Sequence, residues 1–171
     1  MFLHDFTINV SEGCSVEAQA FGANSYSIVK YAFLRLNGDT VWQASWQGEY
    51  PVYRGVNILT IDTAACTLED ALNFDTHLDW NAAWQLRTYI EGLSIGTVLV
   101  GITCESASSR LSNAHSRLAE LGANVSDVGY RGAWAFVAEK GNPSETVLDK
   151  ERSSYTSLGR DPVVTASFAG A

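Results

Sequence analysis

Among the residues able to do chemistry, His77 stands between Asp75 and Asp79 at alternate positions. An imidazole between two carboxylates can exchange protons or take a metal ion. The same residue types gather ahead of helices to cap them, so a capping role stands beside the chemical one. His4 and His115 lie far away in sequence, and no Gly-x-x-x-x-Gly-Lys-Ser/Thr or Gly-x-Gly-x-x-Gly run offers a phosphate cradle. The expectation is a protein without catalytic machinery. Sugar recognition is the second chemistry to weigh. It needs a flat apolar face for the C–H side of a pyranose, fixed donors and acceptors for hydroxyls, and often a Ca²⁺ that two vicinal hydroxyls ligate. The chain has 5 Trp and 7 Tyr, and Trp42, Trp46, Tyr50 and Tyr53 follow one another along a predicted hairpin and its loop. Trp42 and Trp46 share strand parity and face one side. Trp42 and Trp134 read as core, whereas Trp46, Tyr50 and Trp80 sit next to loops and read as exposed.

These residues need elements to position them. Alternation predicts strands over 5–10 and 15–21, and a longer apolar strand over 27–36. Asn37-Gly38-Asp39 tolerates the positive φ of a tight turn into a strand over 40–46. Residues 47–51 read as a loop that ends at Pro51. From Val56 the pattern becomes strands interleaved with helices: strands at 56–61, 68–74, 97–103 and 133–138. A first helix, with Asp79 as N-cap and Gly92 near its end, carries Ala82, Ala83, Leu86 and Ile90 on one face. A second, capped by Ser108 or Ser109, carries Leu111, Ala114, Leu118 and Leu121 and stops at Gly122. The tail offers weaker strands at 144–148, 153–158 and 163–168. No repeat or linker interrupts the 171 residues, and 46% hydrophobic content suffices for one domain over 1–171. The expected class is α+β, a mixed but largely antiparallel β-sheet sandwich-like core with two helices.

Two segments share one grammar. Tyr53-Arg54-Gly55-Val56-Asn57-Ile58-Leu59-Thr60-Ile61-Asp62 and Gly129-Tyr130-Arg131-Gly132-Ala133-Trp134-Ala135-Phe136-Val137 are each an Arg-Gly step into a short apolar strand, with Asn73-Phe74-Asp75-Thr76 between them. That order resembles the interleukin-like EMT inducer (FAM3-type) domain across roughly residues 20–141. The resemblance implies a compact secreted module, some of whose relatives bind sugars. In those relatives, including the stem domain of an N-acetylglucosaminyltransferase, a shallow site uses an Arg that corresponds to Arg131. It also uses an acidic residue whose position falls here on Cys104, with Glu105 its neighbour. An N-acetylglucosamine site of that type is therefore altered, and Glu105 supplies the carboxylate. With the loop aromatics added, the candidate sugar-binding set is Arg131, Glu105, Tyr130, Trp46 and Trp80. A pairing of Arg131 with a carboxylate beside the sheet is the structural alternative. The chain's size and its Trp/Tyr-rich loops are similar to invertebrate galactose-binding lectins, a small sea-anemone lectin among them.

Asp127 precedes Arg131 and is expected at the same edge as Glu105, so Glu105 with Asp127 is the candidate Ca²⁺ pair. A net charge of −8 argues against nucleic acid as a partner. No apolar run reaches the length of a bilayer span, so no membrane insertion is expected. Met1-Phe2-Leu3-His4-Asp5 lacks the regions of a signal peptide, so a secreted chain would be in mature form here. Asn124-Val125-Ser126 fits an N-glycosylation acceptor, a triplet common by chance. Cys14, Cys66 and Cys104 are not in Cys-x-x-Cys form, which argues against zinc. One intrachain or one intermolecular bridge is expected. Cys14, read in an exposed turn, is placed at a subunit contact, and Cys66 and Cys104 are placed to meet each other or stay buried. The expected function is a secreted lectin for cell-surface glycans, taking terminal galactose or a related sugar. It acts as a homodimer because avidity multiplies weak sites. The alternative is a cytokine-like ligand that binds a receptor.

Overall fold

The computed structural model describes residues 12–46, 52–151 and 158–170. Its strands are β1 (Cys14–Gln19), β2 (Phe21–Gly22), β3 (Tyr31–Leu36), β4 (Asp39–Ser45), β5 (Gly55–Asp62), β6 (Thr67–Phe74), β7 (Val98–Glu105), β8 (Ala133–Glu139), β9 (Val147–Glu151) and β10 (Val163–Phe168). The helices are α1 (Ala82–Gly92) and α2 (His115–Glu120). One sheet runs β10-β1-β3-β4, and the other, the central sheet, runs β6-β5-β7-β8-β9 with β2 joined in parallel to β7. All other strand pairs are antiparallel.

Strand parity builds the layers. Leu59 and Ile61 of β5, Val98, Val100, Ile102 and Cys104 of β7, and Ala133, Ala135 and Val137 of β8 face the first sheet, where Val16, Ala18, Leu34, Leu36 and Val164 meet them. The opposite parity, Val56, Ile58, Leu99, Trp134 and Phe136, faces Leu86, Ile90, Leu111, Leu118 and Leu121 of the helical layer. The central strands are therefore buried on both faces, which is why they are mostly apolar along their length. The result is a mostly β fold of two sheets with a helical layer on one side, in keeping with the expected class.

The ends of the elements depart from the sequence reading. The strand expected over 27–36 begins at Tyr31, and Ile28 and Val29 are exposed, so apolar character alone extended it too far. Asn81, not Asp79, occupies the N-cap position of α1. Asp79 instead closes the preceding turn, its carboxylate accepting from the Asn81 amide at 2.8 Å. The second helix is broken into turns at Ser108–Arg110 and Ser112–Ala114 before α2. The Arg110 amide donates to the Thr76 carbonyl and the Ser108 hydroxyl to the Gly129 carbonyl, so groups that would begin an α-helix are taken by other segments. Gly122, at φ 88°, ends α2, and the Ala123 amide returns to the Leu118 carbonyl. Asn37 and Gly38 both have positive φ in the β3–β4 turn, as the Asn-Gly step requires. In the tail, β10 falls at 163–168 and β9 starts later than expected, at Val147. The strand over 5–10, the loop over 47–51 with Tyr50, and most of the strand over 153–158 lie outside the described residues.

The one intrachain bridge is present, but its partners correct the placement of Cys14. Cys14 and Cys66 form a disulfide with a Cα–Cα distance of 5.2 Å, and Cys104 is the buried free thiol among the described residues. Cys14 opens β1 opposite Phe168 of β10 and is buried, so it is not an exposed thiol for a second chain. Cys104 pairs in register with Gly55 at the start of β5, whereas Cys66 follows the end of β5. The two thus lie at opposite ends of the sheet.

Candidate functional site

Antiparallel pairing decides which loops meet. Gly55 faces Cys104, Val56 faces Phe74, and Ile102 faces Ala135. The start of β5, the end of β6, the end of β7 and the start of β8 therefore converge at one end of the central sheet. Three non-glycine residues there take the left-handed conformation: Tyr53 (φ 45°), Glu105 (φ 62°) and Arg131 (φ 64°). The other two such residues among those described, Asn37 and Cys66, lie in hairpin turns, where this conformation is ordinary. Non-glycine backbone in this region costs on the order of 1–3 kcal/mol and clusters at binding and catalytic sites.

Arg54 is the centre of the cluster. Its Nε and Nη2 donate to the Asp75 carboxylate at 3.2 and 2.7 Å, and Nε lies 3.8 Å from Glu105 Oε2. Asp75 Oδ1 also accepts from the His77 and Leu78 amides at 3.2 Å each. Burial pushes the Asp75 carboxyl up, but Arg54 and the two amides outweigh it and hold the group below its ordinary value. The hydrogen bond to Asp75 correspondingly raises Arg54 against its own burial.

In the His77 triplet both carboxylates hold backbone amides of the turn before α1. Asp75 closes the loop, Asp79 holds Asn81, and the His77 ring shares a hydrogen bond with Ser109 Oγ at 3.0 Å. Arg131 is half-buried, with its guanidinium 5.0 Å from the centre of the Tyr130 ring, and Tyr130 lies 6.2 Å from His77. Trp80 is 74% exposed with Arg110 over its ring. Trp46 is partly exposed under Lys30, whose Nζ donates to the Ala23 carbonyl. Ala23 in turn donates its amide to the Glu105 carbonyl, so Trp46 is linked to this end through Lys30 and Ala23. Asp127 pairs with Lys150 at 2.6 Å, while Glu105 faces Arg54. Among the described residues no group of three or more His, Cys, Asp and Glu is arranged to hold a metal. Burial and the neighbouring Glu105 push the Cys104 thiol far up, which keeps it protonated.

Sequence reasoning missed Arg54 as a site residue. The signal was present, since Arg54-Gly55 and Phe74-Asp75-Thr76 had both been singled out, and pairing β5 with β6 places one beside the other. It also passed over Gly92-Leu93-Ser94-Ile95-Gly96, which has the Gly-x-Ser-x-Gly spelling. That run leaves α1 and enters β7, the reverse of the strand-to-helix turn that a nucleophile elbow needs. No helix among the described residues is long and apolar enough to cross a membrane.

The cluster offers a guanidinium and two carboxylates at fixed distances. The chain is 28% identical over 114 residues to the Cell migration-inducing and hyaluronan-binding protein of Mus musculus. It is equally similar to the protein of that name from Homo sapiens. The aligned part is 66% of this chain and 8% of each relative, so the chain spans less than a tenth of their length. A family model described as interleukin-like EMT inducer matches residues 54–142, a span that holds Arg54, Asp75, Glu105 and Arg131. On that match, which covers more than half of its length, the chain belongs to the interleukin-like EMT inducer family.

Proposed function

We propose that this chain is a secreted carbohydrate-binding protein that takes terminal galactose or a related sugar without transforming it. The observation that carries the reading is the convergence of Glu105 and Arg131, both in left-handed backbone, at the ends of β7 and β8. Arg131 lies over the ring of Tyr130 and Arg110 over that of the exposed Trp80, which suits a pyranose with an apolar face and directional hydroxyls. The relatives' name describes them as hyaluronan-binding, and hyaluronan is a polysaccharide, which agrees in ligand class. The Cys14–Cys66 bridge suits an oxidising compartment. Direct hydrogen bonding is the first mechanism. Ca²⁺ assistance through Glu105 and Asp127 requires both carboxylates to leave their cations, Arg54 and Lys150. Cell-surface binding then draws on avidity, for which we propose a homodimer that does not use Cys14.

A second reading, a protein ligand for a receptor, draws support from a different surface. Tyr26, Ile28 and Val29 are 61%, 94% and 65% exposed along one loop, an apolar stretch that suits a protein contact. A glycan array run with and without EDTA separates the readings. Binding inhibited by simple sugar and unchanged by EDTA fits direct recognition, and loss in EDTA fits the calcium route. No binding to any glycan would remove the lectin reading.

A further inference from the structure

Arg110 differs from five other arginines, Arg35, Arg54, Arg87, Arg117 and Arg160, by what it lacks. Arg35 pairs with Glu17, Arg54 with Asp75 and Glu105, and Arg87 with Glu91. Arg117 pairs with Glu91 and Glu120, and Arg160 with Asp149 and Glu151. The chain has 19 acidic residues against 11 basic ones, so an arginine ordinarily finds a carboxylate. Arg110 has none at ion-pair distance among the described residues. Instead its Nη1 donates to the His77 carbonyl at 3.0 Å and to the Leu78 carbonyl, and its guanidinium lies 4.0 Å from the centre of the Trp80 ring. Carbonyls and an indole fix the group without neutralising it. Nε and Nη2 make no hydrogen bond to a described residue, so one edge of the fork is left for an incoming oxyanion.

This cation belongs to the end of the sheet described above. Arg110 holds the His77 carbonyl, the His77 ring lies beside Tyr130, and Tyr130 lies under Arg131. We propose that Arg110 on Trp80 is an acid-reading subsite, and that the ligand is a saccharide with a uronate on or next to the sugar held at Glu105 and Arg131. This rests on the sugar-binding reading. A planar carboxylate fits the free edge of the guanidinium bidentately, and the pyranose C–H face of the same residue covers exposed indole. A sulfate ester shares the anionic charge without the planar match.

The test measures affinity of the whole chain for three probes: a glucuronate-containing oligosaccharide, its carboxyl-reduced product, and a sulfated neutral oligosaccharide. The uronate probe is expected to bind about tenfold more tightly than its reduced product. Arg110→Gln should erase that difference while leaving the reduced probe within about twofold of its original affinity, and Arg110→Lys should restore only part of it. Thermal unfolding establishes that each variant is folded, and Trp80→Ala, which leaves the guanidinium in place, should also reduce the preference. Equal binding of parent and reduced probes, or a preference that survives Arg110→Gln, overturns the proposal. A preference for the sulfated probe over the uronate overturns the carboxylate assignment. A neutral galactoside that binds through Arg131 while all acid preference is missing removes this inference and leaves the lectin reading standing. Absence of binding to every glycan removes both.

Discussion

Asp75 fixes the site's geometry because it is compensated from two directions, by the Arg54 fork and by the amides of His77 and Leu78. Its folded pKa lies below the ordinary value, so the stabilisation is fully present above about pH 4 and is lost as pH falls through the folded value. Asp75→Asn should therefore cost about 1 kcal/mol at neutral pH, a modest figure because solvent screens a partly exposed pair. It should also flatten the fall of Tm on acidification below about pH 4. Thermal unfolding followed against pH reads both effects, and an unchanged acid slope would place the sensitivity in other groups. Asp75 was visible in the sequence as a neighbour of His77, and its capping role was one of the two readings. Its ionic partner was not, because Arg54 lies far back in the chain and meets it only through the β5–β6 register, which contains an irregularity at Thr60/Ile61.

At the scale of elements, the strands buried on both faces were the most legible. β5, β7 and β8 are mostly apolar and are buried at every position but the last, and β10 was read with the bounds it has. Helix starts were less legible, since Asp79 and Ser108 are good caps in isolation but are used by a turn and by a distant carbonyl. Close approaches between elements left almost no trace in the sequence. A Cβ at Gly101 would lie 2.2 Å from the Phe136 ring, so Gly101→Ala should lower stability by about 1–3 kcal/mol, measured by urea unfolding. A Cβ at Gly22 would lie 2.4 Å from the Arg131 carbonyl oxygen, backbone that cannot rotate away. Gly22→Ala should accordingly displace Arg131 and weaken sugar binding by about tenfold in a chain that still folds. Retained affinity there would mean that the position of Arg131 is unimportant.

Over the whole molecule, the disulfide joins β1 of the first sheet to the β5–β6 turn of the central one, across 52 residues of sequence. Closing a loop of that length restricts the unfolded chain, and Cys66→Ser should cost about 2–4 kcal/mol. The remaining thiol, Cys104, should react with a thiol reagent only in denaturant, because it is buried and held protonated. Rapid labelling of the native protein would contradict that placement. Three cysteines in the sequence left the bridge open; only the topology, which puts Cys66 and Cys104 at opposite ends of β5, decides it. The site likewise depends on that topology, since Glu105 and Arg131 come together only when β7 and β8 pair. The most direct test of the account is titration of an immobilised glycan with folded Arg131→Ala and Glu105→Gln variants beside the unaltered chain. The account predicts that each substitution lowers affinity by about tenfold or more with little change in Tm. Full binding by both variants would contradict it and move any sugar site elsewhere on the molecule.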